Sequence, residues 1–416
     1  MTRHFNTEAR RHGGTQRKGC GRSFLFIPYP PPWPSVSPCL CVKVPHPHLK
    51  TVPPRHLRRT IDQPALPPPP PWRARANAWL ADTFTLGVLN LVQTRQGRRH
   101  VTTPPEFAAY AAAHAPGGID TFYALPPDAG RDEPALPPDD APPRLDRAGL
   151  PVAYPVTWPS PHPSGFAAND RARVDFFPAD GGHWPVAPTV FLLHALMSAS
   201  DTGYRMWAHA FQRRGWNACF VHLPFHYSRR PPGYFNGELT IGSDTLRTAE
   251  TIRQGVKEMR QLRRAMERRG AREFGVWATS YGGWIGSLWA CVEGGFRFVA
   301  LVQPIIDSHD VIWRSPASRA IRRQLRRTGL AADSPGMAEF MRLGSASQHQ
   351  PVDDPGRVLL LAGDHDTIVT PESLRVLHER WRGSHFFQGA QGHLGFTLMP
   401  HAFRQLEAGG FLRTGG

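Results

Sequence analysis

The sequence contains little cysteine, and this scarcity excludes one class of protein. Five cysteines among 416 residues are too few for the disulfide framework of a small secreted domain. Cys219 and Cys291 fall in apolar stretches, where cysteine usually behaves as a small buried hydrophobe. We therefore expect reduced thiols and a cytoplasmic protein.

The chain also lacks the patterns of a membrane span, a secretory signal and a metal site. Its apolar runs are all shorter than the roughly 18 residues that cross a bilayer. Residues 23–27 are apolar, but this run is too short for a signal peptide and continues into prolines. Histidines, cysteines and carboxylates do not cluster at metal-ligand spacing, so we expect no metal and no cofactor.

Acidic residues are scarce relative to basic ones, and the imbalance lies near the N-terminus. Residues 1–75 carry 13 Lys and Arg against 2 Asp and Glu, and so supply +11 of the formal net charge of +16. The same residues are rich in proline and have no periodic pattern, which predicts disorder. A basic arm, a polyproline ligand, an inert tail and an upstream extension of the reading frame all fit them. Because the charge excess is not on a folded face, nucleic acid is not favoured as a partner.

The next region has a helical character. Residues 76–115 carry apolar side chains such as Trp79 and Phe84 at helical spacing, and residues 124–150 are again rich in proline. We expect residues 76–150 to form a helical extension and a connector.

Residues 151–416 alternate between apolar strands and amphipathic helices, most regularly from residue 188 onward. This alternation is typical of a mostly parallel sheet with helices on both faces. Two earlier segments alternate in polarity and predict antiparallel opening strands. The predicted strands lie near residues 152–158, 172–177, 189–194, 217–223, 274–279, 298–304, 358–363 and 384–387.

The predicted sheet is organised around residues 274–286. This stretch begins as an apolar strand, reaches Ser280 and continues with helical spacing. A serine at a sharp turn between strand and helix is typical of a nucleophile elbow, where small residues two positions on either side prevent clashes. Ala278 and Gly282 occupy those positions. A glycine-rich loop without a chemical role fits the same residues, so the partners of the serine have to decide.

Two downstream segments supply candidate partners. An apolar strand over residues 358–363 leads to Asp366, and Gly392 and His393 follow a short strand. A serine nucleophile needs a base, and the base needs an orienting carboxylate. Serine, acid and histidine in this chain order are typical of one family. From about residue 186 to the C-terminus, the chain resembles the α/β-hydrolase superfamily.

The resemblance implies an α/β-hydrolase fold and a catalytic triad. Ser280 would be the nucleophile, His393 the base and Asp366 the orienting acid. Asp364, two residues before Asp366, and Asp307, after the preceding strand, stay open as alternative acids.

The resemblance also implies an oxyanion hole, formed by two backbone N–H groups. One belongs to Tyr281, directly after the nucleophile, and the other to the loop after the first buried strand. Leu196 is the expected donor in that loop, with Ala195 as the alternative. His194 is expected to be a buried structural histidine.

Two further segments are expected to shape the substrate pocket. Residues 222–234 resemble a loop of a poorly characterised bacterial subgroup, with a Tyr-His-x-Arg-Arg-Pro-like motif. Its His226, Arg229 and Arg230 would meet a carboxylate or phosphate of the substrate, or else tie the loop to the scaffold. Trp313 falls in an insertion over about residues 308–350, where the superfamily carries a helical lid.

The sequence thus predicts a hydrolase of a small-molecule acyl substrate. The expected reaction is cleavage of a carboxylic ester, or of a related acyl bond, through an acyl-enzyme. Peptidase or thioesterase activity on the same triad, and a non-catalytic binding protein of the same fold, are the alternatives. The oligomeric state is not encoded in any pattern of the sequence.

Overall fold

A computed structural model describes residues 72–414, with the exception of residues 131, 132, 148, 150, 181, 182 and 396. The disorder predicted for residues 1–75 concerns mainly residues 1–71, which lie outside the described residues. Residues 72–75 begin the first helix.

The centre of the structure is a sheet of eight strands, all of which the sequence predicts. The strands are β1 (Tyr154–Pro159), β2 (Arg171–Phe177), β3 (Thr189–Leu193), β4 (Asn217–His222), β5 (Phe274–Thr279), β6 (Phe296–Val302), β7 (Val358–Gly363) and β8 (His385–Gly389). They lie in the order β1-β2-β4-β3-β5-β6-β7-β8. β2 runs antiparallel to β1 and β4, and every other pair is parallel.

Helices follow most of the strands and also precede them. They are α1 (Trp72–Gln96), α2 (Pro104–His114), α3 (Gly118–Phe122), α4 (Thr202–Gln212), α5 (Thr245–Arg268), α6 (Ser280–Val292), α7 (Arg319–Thr328), α8 (Met337–Leu343), α9 (Pro371–Arg380) and α10 (Leu398–Ala408).

The sheet separates two apolar cores. β3, β5 and β7 are buried along their whole length, as parallel strands covered on both faces are. Successive side chains alternate between the faces, so that Phe191 packs in the core beneath α5 and α6, and Leu192 in the core beneath α4 and α10. This architecture is the α/β-hydrolase fold, and the prediction of the fold class is confirmed.

The N-terminal helices pack directly on the hydrolase domain. α1 lies along α7, and α2 contacts α8. In the second contact the ring of Phe107 meets the ring of Phe340 edge to face, with centroids 5.0 Å apart. Phe107 is 1% exposed. The extension is therefore part of the same packed structure as the sheet.

The chain between β6 and β7 is an insertion of short helical segments, which we call the lid segment (Asp310–Gln348). It contains α7 and α8 and lies within residues 308–350, where the sequence predicts a lid insertion. Gly329 ends α7 with a left-handed backbone (φ +88), as a C-terminal glycine commonly does.

Two of the cysteines that the sequence predicts to be reduced thiols lie within the described residues. Cys219 in β4 and Cys291 in α6 are buried and form no disulfide. Burial raises the pKa of the Cys291 thiol to about 12. Within residues 72–414, gaps excluded, no helix is long and apolar enough to cross a membrane.

The packing of α2 on α8 predicts a large cost for losing Phe107. Phe107→Ala should lower the free energy of unfolding by about 3–5 kcal/mol, because it removes a buried ring and leaves a cavity. Urea denaturation measures the change, with Val186→Ala, at a site 71% exposed, as the control. A loss below about 1 kcal/mol would show that the extension does not contribute to the core.

Candidate active site

Ser280 lies at the turn between β5 and α6. Its φ is +49, a left-handed conformation that is rare for a residue with a side chain. The turn also brings α6 close to the end of β3. A Cβ atom on Gly282 would lie 2.5 Å from the backbone carbonyl of Leu193, so only glycine fits there. Backbone strain of this kind is typical of functional sites.

The structure brings Ser280, His393 and Asp366 together at the carboxyl edge of the sheet. The Ser280 Oγ lies 2.8 Å from the His393 Nε2. The His393 Nδ1 lies 2.7 Å from the Asp366 Oδ2. A carboxylate at Nδ1 fixes the proton on that nitrogen and leaves Nε2 to accept the serine proton.

Asp366 is buried and fully hydrogen-bonded. Its Oδ1 accepts the backbone N–H groups of Ile368 and Val369, both at 2.8 Å. Its Oδ2 accepts the side-chain amide of Gln303 at 2.6 Å in addition to the His393 ring. These bonds hold the carboxylate in one orientation toward the imidazole.

The two alternative acids make other contacts. Asp364 accepts the side-chain amide of Gln388 at 3.3 Å. Asp307 accepts the hydroxyl of Ser347 at 2.7 Å and the backbone N–H of His309 at 2.8 Å. The hydrogen bonds of both carboxylates therefore run to groups other than the His393 ring.

Gln303, directly after β6, is a site residue that the sequence analysis missed. Its backbone is left-handed, with φ +48. The side-chain amide donates to the Gly392 carbonyl at 2.9 Å as well as to Asp366, and its carbonyl accepts from Gln391 at 2.8 Å. Gln303 thus joins the acid to the loop that carries His393. Its only signal in the sequence is a polar residue at a strand end.

Asp82 on α1 is the second site residue that sequence reasoning missed. It is 1% exposed. Its carboxylate accepts the backbone N–H groups of His393 at 3.0 Å and Leu394 at 3.4 Å. It also accepts the backbone N–H of Thr367 at 3.3 Å and the Thr367 hydroxyl at 3.2 Å. One carboxylate therefore joins the loop of the base to the loop of the acid.

Opposing influences set the pKa of His393. Burial disfavours the charged ring and by itself lowers the pKa. The charge and hydrogen bond of Asp366, together with the charge of Asp82, outweigh burial and raise the pKa above its ordinary value. Both carboxylates therefore stabilise the imidazolium that forms when the ring takes a proton.

In the loop after β3, the N–H groups on either side of Leu196 have acceptors within the protein. The Ala195 N–H donates to the Tyr204 hydroxyl at 3.0 Å, and the Met197 N–H donates to the His226 Nε2 at 3.2 Å. Among the described residues, no acceptor bonds the Leu196 N–H. Tyr281 is the second residue of α6, and N–H groups in the first turn of a helix have no partner within it.

His226 and Arg229 do not lie at the pocket rim where the sequence predicts them. His226 is fully buried, donates from Nδ1 to the Pro224 carbonyl at 2.9 Å and accepts the Met197 N–H. Burial lowers its pKa to about 4, which keeps the ring neutral. Arg229 is 1% exposed and binds both carboxylate oxygens of Glu258, at 2.6 and 2.7 Å. Both side chains therefore hold the scaffold, the alternative that the sequence left open.

Arg230 and Trp313 differ from each other in their surroundings. Arg230 is exposed. Trp313 is buried in the apolar core at the start of the lid segment, and its indole N–H has no hydrogen-bond partner among the described residues. Among the described residues, neither side chain is hydrogen-bonded to Ser280, Asp366 or His393.

A cavity of about 390 Å³ opens between the loop that follows Asp366 and the lid segment. Apolar side chains such as Ile305 and Ile368 line it, together with the carboxylates of Asp307 and Asp310. The N–H of Ile305, one of the lining residues, donates to the Ser280 carbonyl at 3.2 Å, whereas Ser280 and His393 do not themselves line the cavity. Across the part of the chain that the structure describes, no group of three or more His, Cys, Asp or Glu could hold a metal ion.

No family model and no curated protein matches the sequence. Solved structures do match the fold. An acetyl xylan esterase from Paenibacillus sp. R4 has 15% identity and a TM-score of 0.49, over 76% of this chain and 98% of that one. An acylaminoacyl peptidase from Pyrococcus horikoshii has 12% identity and a TM-score of 0.42, over 62% of this chain and 40% of that one. Esterase B from Lactobacillus rhamnosis has 13% identity and a TM-score of 0.42, over 65% and 89%.

The buried pair of Arg229 and Glu258 predicts a non-additive stability change. Glu258→Gln should lower the free energy of unfolding by about 3–5 kcal/mol, because it leaves a buried guanidinium without its counter-charge. The double variant Arg229→Met/Glu258→Leu should be less destabilised than Glu258→Gln, since it removes both charges. Denaturant titration of both variants checks the order. Equal, small losses in the two would indicate that the pair is solvated.

The contacts of Asp82 predict a change in the titration of His393. Asp82→Asn removes a nearby negative charge and should shift the pKa of His393 to a lower value. NMR titration of the His393 ring measures the shift. Asp364→Asn, in a carboxylate that does not contact His393, is the matched control. An unchanged pKa in Asp82→Asn would contradict the electrostatic contribution of α1.

Proposed function

We propose that the protein is a serine hydrolase that cleaves a carboxylic ester or a related acyl bond through an acyl-enzyme. Ser280 is the nucleophile, His393 the general base and Asp366 the orienting acid. One observation carries the proposal: the Ser280 Oγ lies 2.8 Å from the His393 Nε2, whose other nitrogen lies 2.7 Å from Asp366. A serine, a base and an orienting carboxylate within hydrogen-bond reach are the requirements of nucleophilic catalysis.

The proposed reaction has two halves. The His393 Nε2 takes the proton of the Ser280 hydroxyl while the oxygen attacks the substrate carbonyl, and a tetrahedral intermediate forms. The imidazolium then gives its proton to the leaving group, and the acyl-enzyme remains. A water molecule, deprotonated by the same nitrogen, attacks the ester and releases the acid and the free serine. Only groups of this chain and water take part.

The oxyanion would be stabilised by the backbone N–H groups of Leu196 and Tyr281. Support for Leu196 comes from its neighbours, because the N–H groups of Ala195 and Met197 already have partners. Support for Tyr281 comes from its position in the first turn of α6, where the helix dipole also favours a negative charge. Preorganised donors of this kind typically contribute about 10²- to 10³-fold in kcat each.

The substrate class follows from the chemistry of the triad and from the adjoining cavity. Esters, thioesters, amides and lactones all react through the same steps. The cavity of about 390 Å³ suits a small-molecule acyl substrate. Arg230 and Trp313 stay proposed as substrate-contacting residues, although neither lines this cavity. The charged side chains that line the cavity are three carboxylates and one guanidinium, those of Asp307, Asp310, Glu372 and Arg314. The net charge of the wall therefore disfavours an anionic group there. The alternatives are a peptidase or thioesterase on the same triad, and a non-catalytic binding protein.

Labelling and kinetics test this proposal together. A fluorophosphonate probe should label Ser280 in the native protein and should fail with Ser280→Ala or His393→Ala. Each replacement should lower kcat on p-nitrophenyl esters roughly 10⁴- to 10⁶-fold, and the double variant should be little worse, because the residues act as one unit. His401→Gln, in a histidine of α10, is the matched control and should keep full activity.

The outcomes separate the alternatives. Turnover of thioesters or anilides in preference to p-nitrophenyl esters would assign the thioesterase or peptidase reaction to the same triad. A folded protein that neither reacts with the probe nor hydrolyses any of these substrates would contradict the hydrolase proposal and favour a binding protein.

A further inference from the structure

The outer face of α1 is apolar. Over residues 79–91, the positions that face solvent follow one another at helical spacing and form a stripe, which we call the apolar stripe. Phe84 is 74% exposed and Leu91 is 72% exposed. The apolar stripe consists of Trp79, Leu80, Thr83, Phe84, Gly87, Val88 and Leu91. At 1.5 Å per residue it extends over about 18 Å.

The opposite face of α1 turns polar side chains toward the rest of the protein. Asp82 accepts hydrogen bonds from the loops of the acid and the base. Gln93 and Gln96 are buried, with exposed fractions of 4% and 2%. A surface helix normally has the reverse arrangement, with its apolar face inward. A contiguous apolar patch that is left outside marks an interaction site.

A row of arginines lies next to the C-terminal end of the apolar stripe. α7 runs along α1, where the Asn90 side chain accepts the Ala320 N–H at 2.8 Å and the Gln324 amide donates to the Gln93 carbonyl at 3.3 Å. Both helices bury one side and turn the opposite side to solvent, so their outer faces belong to one surface. The arginine row of α7 consists of Arg319, Arg323, Arg326 and Arg327, all exposed.

The charge of the arginine row is not neutralised locally. Among residues 72–414, outside the gaps, none of the four arginines forms a salt bridge. Arg322, on the inner side of the same helix, differs from them, because it donates to the carbonyls of Ile312 and Ser315. The surface thus combines an apolar stripe with an unpaired cationic row.

We propose that the outer faces of α1 and α7 dock the protein on an anionic lipid surface. The aromatic and aliphatic side chains of the apolar stripe would enter the boundary between headgroups and acyl chains, and the arginine row would bind the lipid phosphates. A second copy of the chain fits less well. In a two-fold dimer the same surface meets itself, and neither the apolar stripe nor the arginine row contains a carboxylate that could pair with the arginines of the other copy.

Vesicle binding tests the proposal with the full chain. Binding is measured by flotation with vesicles of phosphatidylglycerol and phosphatidylcholine, and with phosphatidylcholine alone. The mixed vesicles should bind more strongly. Phe84→Ser/Leu91→Ser should weaken binding at least about tenfold, because two apolar side chains no longer enter the bilayer. Arg323→Gln/Arg326→Gln should weaken it about fivefold for each arginine lost.

Residues 1–75 are basic and would also attract anionic lipid. A spectroscopic readout and a control variant therefore separate their contribution from that of the apolar stripe. Vesicles with brominated acyl chains should quench tryptophan emission, and Trp79→Phe should reduce the quenching while vesicle binding persists. The matched control is Met206→Ser/Arg404→Gln, in an exposed apolar and an exposed basic residue of α4 and α10, and it should bind like the native chain.

Two results would overturn the proposal. In the first, either double variant of the docking surface binds the mixed vesicles as tightly as the native chain. In the second, the native chain does not bind vesicles and elutes as a dimer that Phe84→Ser/Leu91→Ser converts to a monomer, which would assign the surface to contacts between copies.

Discussion

The site depends on the hydrogen bonds that hold His393 between two buried carboxylates. Asp366 binds the ring of His393, and Asp82 binds its backbone. The first bond sets the rotation and the tautomer of the ring, and the second sets the path of the loop that carries it. Gln303 then binds Asp366 and the carbonyl of Gly392. Asp82, Gln303, Asp366 and the loop of His393 itself thus belong to four separate segments of the chain that meet at one imidazole. A shift in any of these segments changes the distance between Nε2 and the serine.

Strained backbone is concentrated at the same edge of the sheet. Met197, Ser280 and Gln303 all have positive φ, although none is glycine. Each lies after a strand of the parallel sheet, where its left-handed backbone turns the chain away from the strand direction. Conformations of this kind cost about 1–3 kcal/mol each and persist only where the surroundings enforce them. The fully buried strands β3 and β5, and the close packing of α6 on β3, supply that enforcement.

Much of the fold could be predicted from the sequence, because its strands are short apolar runs. The turn at Ser280 could also be predicted, because small residues stand two positions before and after the serine. Ser280, Asp366 and His393 converge in the structure, and they follow one another along the chain in the order typical of the family. Their catalytic roles are a proposal. Asp82 and Gln303 could not be found, since their importance comes from contacts across distant parts of the chain. The sequence left open whether Arg229 lies at the pocket rim or ties its loop to the scaffold, because its partner, Glu258, is on a different element. Spacing predicted that Trp79 and Phe84 are helical but not which way they face.

The contact between Asp82 and His393 spans 311 positions of the sequence. Contacts between residues so far apart in the sequence slow folding, since the chain entropy lost in bringing them together is spent before the contact forms. A chain still emerging from the ribosome has synthesised Asp82, and even Ser280, well before His393 exists. The proposed triad therefore forms only after residues far apart in the sequence have met. Until then the nascent protein carries Ser280 without the imidazole that its hydroxyl contacts in the folded structure.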